Sequence, residues 1–203
     1  GGLLTALHLA VALTPLYDLV VVRALGADPT LVEPARIGLL LMTPWTWSIA
    51  YRRFNQGALI RHNRSRAVSV GTVVRLSSMA AVLAIGYGLR LRGIVVGTSA
   101  VACGVMAEAL YTRFAVQPVL RGPLARDPDG QPTLTWHAFF DFYVPLALTS
   151  LLLFLAQPIG SAAMSRMPAA VASLAAWQVT SSLLFLLRSP GVALNEVVVA
   201  LVD

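Results

Sequence analysis

Tyr51-Arg52-Arg53-Phe54-Asn55-Gln56-Gly57-Ala58-Leu59-Ile60-Arg61-His62-Asn63-Arg64-Ser65-Arg66 is the stretch on which the reading of this chain turns. It follows the apolar run 35–51 and stops just before a second apolar run that begins at Ala67. An apolar segment long enough to cross a bilayer, ended by five arginines, marks a membrane protein and places those arginines on the cytoplasmic side.

Composition agrees. Of 203 residues, 57% are hydrophobic and 12% are charged, and the mean hydropathy is +0.75. A soluble domain carries about 25% charged residues, so this chain lacks the polar groups to cover itself in water. All 15 basic residues are arginine. They fall between apolar runs, without an aromatic-interleaved basic groove, so topogenic charge explains the high pI better than nucleic-acid binding. The single cysteine, Cys103, excludes an internal disulfide and a multi-cysteine metal site. The chain opens on Gly1-Gly2 and closes on Leu201-Val202-Asp203, which reads as a piece of a longer protein.

Six runs approach the roughly 20 residues a spanning helix needs: 3–22, 35–51, 67–89, 93–115, 138–160 and 168–187, the last continuing past Pro190. Between the fourth and fifth lies 116–136, turn-rich with Pro118, Pro123, Pro128 and Pro132 beside Asp127, Asp129 and Gly130, a natural boundary between helical units. Connections holding Arg52, Arg53, Arg61, Arg64 and Arg66, and then Arg113, Arg121 and Arg126, outweigh those holding Arg23, Arg36, Arg90, Arg92 and Arg166, so the first set is expected on the cytoplasmic side. Small residues from Gly86 to Ala107, with a GxxxG at Gly93 and Gly97, predict close helix packing within the molecule.

Prolines inside the runs, Pro15, Pro44, Pro145, Pro158 and Pro190, predict kinks or breaks, which membrane proteins place where helices line a cavity. The ionisable residues at membrane depth are Asp18, Arg75, Glu108, Asp141 and, towards the end, Arg188 and Glu196. Burying charge in lipid is costly, so each is either a structural or interfacial group or part of a substrate or ion pathway. Arg75 is placed to snorkel or to pair with an acid. Glu108 shares a helix face with Gly104 and Thr112, and Asp18 follows the Pro15 kink by one turn. The chain holds no P-loop, no HExxH and no GxSxG, and His8, His62 and His137 stand far apart, so neither an enzyme nor a cofactor is expected.

Two segments carry a family likeness. Leu25-Gly26-Ala27-Asp28-Pro29, then Ala35-Arg36-Ile37-Gly38-Leu39-Leu40 with Pro44, then Arg53-Phe54-Asn55-Gln56-Gly57, resembles the end of the third and the whole fourth helix of MATE-type exporters. Phe142-Tyr143-Val144-Pro145-Leu146-Ala147-Leu148 through Gln157-Pro158-Ile159 resembles the seventh helix of the progressive ankylosis proteins of the same flippase superfamily, and Gly57 through His62 is similar to that group too. The resemblance implies an all-α polytopic membrane protein with six transmembrane helices of a two-bundle, pseudo-two-fold exporter. Residues 1–115 would hold four helices resembling the third to sixth, 116–136 the cytoplasmic linker, and 137–203 two resembling the seventh and eighth. It further implies alternating-access export across the plasma membrane of a small-molecule or anionic solute, either passive or coupled to H+ or Na+. The alternatives are a lipid-linked oligosaccharide flippase on the same scaffold, and a membrane assembly protein that moves nothing.

Overall fold

The computed structural model describes residues 1–122 and 135–201, and all the regular structure among them is helical. Residues 123–134, which hold most of the expected linker, lie outside the described residues.

The first apolar run is broken. Helix α1 (Gly2–Leu13) ends where Thr14 turns extended, and the chain resumes as α2 (Leu16–Asp18), which passes directly into a π-helical turn (Leu19–Ala24). Pro15 supplies no N–H to continue the ladder, and the two parts meet at 87°. The Thr14 hydroxyl donates to the Ala10 carbonyl (2.6 Å), occupying one acceptor of the frayed end.

Helix α3 (Pro29–Leu41) starts from a strong cap: the Asp28 carboxylate accepts from the Thr30 hydroxyl (2.6 Å) and the Thr30 N–H (2.8 Å), with Pro29 in the first turn. Those two bonds, the hydroxyl's first, hold the Asp28 carboxyl below its ordinary range. The run 35–51 is not one helix. It breaks at Met42, and α4 (Thr43–Arg61) begins there with Pro44 in its first turn, where a missing N–H costs nothing. Nor does the helix stop at Tyr51. Arg52, Arg53 and Arg61 belong to α4 rather than to a loop, and the turn to α5 is confined to 62–64, with Asn63 at φ 56°. The reason is periodicity: Ser48, Arg52, Asn55, Gln56 and Leu59 recur at helical spacing and form its buried face.

Helices α5 (Ser65–Gly88) and α6 (Gly93–Ala115) form an antiparallel pair. Their register is set by glycines at close approach. A methyl on Gly86 would come within 2.4 Å of Val96, and one on Gly104 within 2.4 Å of Met79 and 3.1 Å of the Arg75 carbonyl. Gly38 of α3 meets Thr98 and Ile94 of α6 in the same way. Gly93 and Gly97 do not take part, since a methyl on either would meet nothing within 4 Å; the close packing runs instead along the faces of Gly86 and Gly104. Helix α6 is thus the hub, with α3, α4 and α5 laid against it, and the short α7 (Gln117–Arg121) extends its line.

Helices α8 (Trp136–Met164) and α9 (Ala170–Leu201) form a hairpin with apolar residues exposed on all sides. Pro145, Pro158 and Pro190 do not break them, contrary to expectation. At Pro190 the compensation is visible: the missing N–H would have bonded the Leu186 carbonyl, and the Ser189 hydroxyl donates to it instead (2.7 Å). Trp136, Phe139, Phe140 and Tyr143 stack at the start of α8, the residue types enriched where a helix enters a bilayer. The turn after α8 is tied to the first part of the chain, the Ser165 hydroxyl donating to the Leu25 carbonyl (2.6 Å) and the Arg166 guanidinium to that of Ala24 (2.7 Å).

Among the described residues, four helices are long and apolar enough to cross a membrane: Ser65–Gly88, Gly93–Arg121, Trp136–Met164 and Ala170–Gly191. They match the last four of the six expected spans. The bent pair Gly2–Leu13 and Leu16–Ala24 makes a fifth if it is counted as one span. The segment 35–51, divided between α3 and α4, does not form a spanning helix.

Candidate functional site

The only ionisable cluster buried among the described side chains centres on Glu108. Its carboxylate has no exposed surface, and residues of α4, α5 and its own helix α6 surround it. From α4, one guanidinium nitrogen of Arg52 donates to both carboxylate oxygens (3.0 and 2.9 Å), and the Gln56 amide donates to one of them (2.9 Å). From α5, Arg75 stands 3.6 Å away with its side chain 30% exposed. On α6 itself, Gly104 and Thr112 flank the acid one turn to either side, both buried. Gly71 lets α5 approach: a methyl there would sit 3.4 Å from the Glu108 side chain.

Taking a carboxylate and a guanidinium out of water costs several kcal/mol each, of the order that only close pairing with further hydrogen bonds returns. Glu108 receives that pairing, and Arg52 receives it in part. Removing Glu108 leaves the Arg52 guanidinium buried and uncompensated, at a cost of roughly 3–5 kcal/mol, whereas removing Arg52 leaves the acid to Gln56 and the more distant Arg75. The cluster therefore locks α4 to α6, while Arg75 approaches the same acid from α5 at longer range.

The sequence placed Glu108 and Arg75 at depth, and the structure brings them together. Arg52, by contrast, was read as a topogenic loop charge and is instead buried at the centre of the cluster with Asn55 and Gln56. The signal that finds them is the spacing Arg52, Asn55, Gln56, Leu59, which continues one helix face across the supposed stop after Tyr51.

The other expected pathway residues are elsewhere. Asp18 pairs with Arg36 of α3 (3.0 Å), both side chains open to the surface, and Arg36 also lies 4.5 Å above the ring of Tyr17. Asp18 also lines an open cavity of about 660 Å3 at the α1–α2 break, with Thr14, Pro15, Leu16, Leu19 and Arg23. The Tyr17 ring is buried and its hydroxyl donates to the Val32 carbonyl (2.6 Å), fixing the bend against α3. Asp141 is an exposed partner of His137 one turn earlier on α8 (2.8 Å), an arrangement suited to the aromatic end of that helix. Glu196 lies on α9, with its side chain outside the described residues. Among the ionisable candidates whose side chains are described, only Arg75 and Glu108 share a site.

Two polar features had no counterpart in the sequence reading. His8 of α1 spans the α3–α4 break, with Nδ1 2.9 Å from the Thr46 hydroxyl and Nε2 2.8 Å from the Leu39 carbonyl. Because a carbonyl only accepts, Nε2 carries the hydrogen. Between α8 and α9, Gln157 faces Gln178, Ser181 and Ser182 across a pocket of about 380 Å3. No protein-family model, curated protein or solved structure matches this chain.

Proposed function

We propose that this chain belongs to an integral membrane transporter that carries a solute across the plasma membrane by alternating access, coupled to H+ or Na+ as in the MATE-type exporters it resembles. The observation that carries this reading is the Arg52–Glu108–Arg75 cluster, buried where α4, α5 and α6 meet. Ionisable groups in the interior of a membrane helix bundle are costly and mark substrate or ion pathways by default. Helices broken at Thr14 and Met42 add support, since interrupted helices recur around transport sites. In this reading the second bundle begins with α8 and α9, and 116–136 is the cytoplasmic linker between the bundles. Glu108 exchanges between Arg52 and Arg75 as the bundle passes from one access state to the other.

The test is flux in proteoliposomes loaded with a fluorescent cation, ethidium, or a fluorescent anion, carboxyfluorescein, under imposed proton and sodium gradients. Gradient-dependent movement of either probe, absent from protein-free liposomes, supports a transporter. A folded, correctly inserted protein that moves neither probe and dissipates neither gradient favours the membrane assembly reading.

A further inference from the structure

Among the described residues, the Glu108 cluster is not electrically closed. Two guanidiniums, those of Arg52 and Arg75, face one carboxylate, so a positive charge is left over at a site walled by apolar helices. Two donors on α4 are also unused. Arg52 Nε and Asn55 Nδ2 are both buried, and neither has a hydrogen-bond partner among the described residues. Arg52 is 5% exposed and Asn55 2%. Residues three apart share a helix face, so both orphan donors rise from the face that carries the Arg52–Glu108 pair. An unpartnered buried donor costs about 1–3 kcal/mol, more beside a charge, and calls for a bound water or ion.

We propose that this face of α4 binds a small monovalent anion, with chloride as the probe, held by Arg52 Nε and Asn55 Nδ2 and neutralising the surplus charge of the arginine pair. A water would occupy one or both donors but leave the charge; an anion answers both observations. Arg75, partly exposed, marks the side from which it enters. The site does not depend on transport, and it stands or falls by binding alone.

The experiment is thermal unfolding of the purified protein in detergent, with chloride replaced stepwise by gluconate at constant ionic strength. Chloride is expected to raise Tm with the logarithm of its concentration above the dissociation constant, by about 3–6 °C at ten times that value. The 35Cl resonance should broaden on adding protein. Asn55→Asp places a fixed carboxylate beside Arg52 Nε, so the variant should keep its Tm in gluconate and lose the chloride response and the line broadening. Equal Tm in the two salts with no broadening means that water alone fills the site, and overturns the proposal. A full chloride response in folded Asn55→Asp overturns it as well.

Discussion

Neutralising Glu108 is the perturbation with the most to say about this structure. In Glu108→Gln the carboxylate that accepts two bonds from Arg52 and one from Gln56 becomes an amide, and a buried guanidinium loses its counter-charge. The expected loss is about 3–5 kcal/mol. At about 2–4 °C per kcal/mol for a chain of this size, the drop in Tm is roughly 6–20 °C. The single variant therefore confounds folding with function, and the informative object is the double-mutant cycle of Arg52→Met and Glu108→Leu. Glu108→Leu strands the Arg52 guanidinium and Arg52→Met leaves the buried acid only the longer Arg75 contact, whereas the two changes together remove both charges and leave Arg75, 30% exposed, to reach solvent. The double variant should recover most of what the singles lose, giving a coupling of more than about 2 kcal/mol. The assay is denaturant or thermal unfolding in detergent, followed by tryptophan fluorescence. If the two single losses simply add in the double variant, Arg52 and Glu108 are not energetically paired and the described core is wrong.

Further outcomes follow from the same contacts. Gly104→Val should destabilise by about 1–3 kcal/mol, because its side chain runs into Met79 and the Arg75 backbone. Gly97→Ala, in open space, should be neutral or stabilising by up to about 1 kcal/mol; both are read by Tm in detergent. His8→Leu removes the bridge to Thr46 and Leu39 and should cost about 1–2 kcal/mol, with faster hydrogen exchange around Met42 as the local readout. The Asp28 cap carries a pH dependence. Because its folded carboxyl lies below the ordinary value, its contribution is complete above about pH 4 and fades as pH falls through the lowered folded value. Asp28→Asn should remove that part of the acid limb in a Tm-against-pH profile.

The last four spans were legible because each is an unbroken apolar run bounded by arginines or turn residues, and composition alone decides such a helix. The first two were not, and the reasons are local. Thr14 and Pro15 turn what reads as one run into two arms at 87°, an angle no window of hydropathy contains. At Met42 the break falls in the middle of an apolar stretch, and what stabilises it, the His8 bridge, comes from a residue 31 positions away from Leu39. The arginine-rich stretch misled for a different reason. Charge density suggested a loop, yet the spacing of Arg52, Asn55, Gln56 and Leu59 is that of a buried helix face, and Arg52 finds its acid 56 residues on. With Arg52 inside the bundle, seven rather than eight arginines remain on the side expected to be cytoplasmic, against five opposite. Glycine roles followed geometry, not motif: Gly104 and Gly86 make the contacts that GxxxG at Gly93 and Gly97 does not. Pro190 illustrates the limit of proline as a break signal, since the Ser189 hydroxyl takes up the carbonyl that the ring leaves without its donor.

The most direct test of the account is gradient-driven flux in proteoliposomes, comparing the wild-type protein with the Arg52→Met, Glu108→Leu double variant, chosen because it is expected to keep the fold. The account predicts ion-dependent flux of ethidium or carboxyfluorescein in the wild type and its loss in the double variant at equal insertion. Wild-type flux in the folded double variant would contradict it.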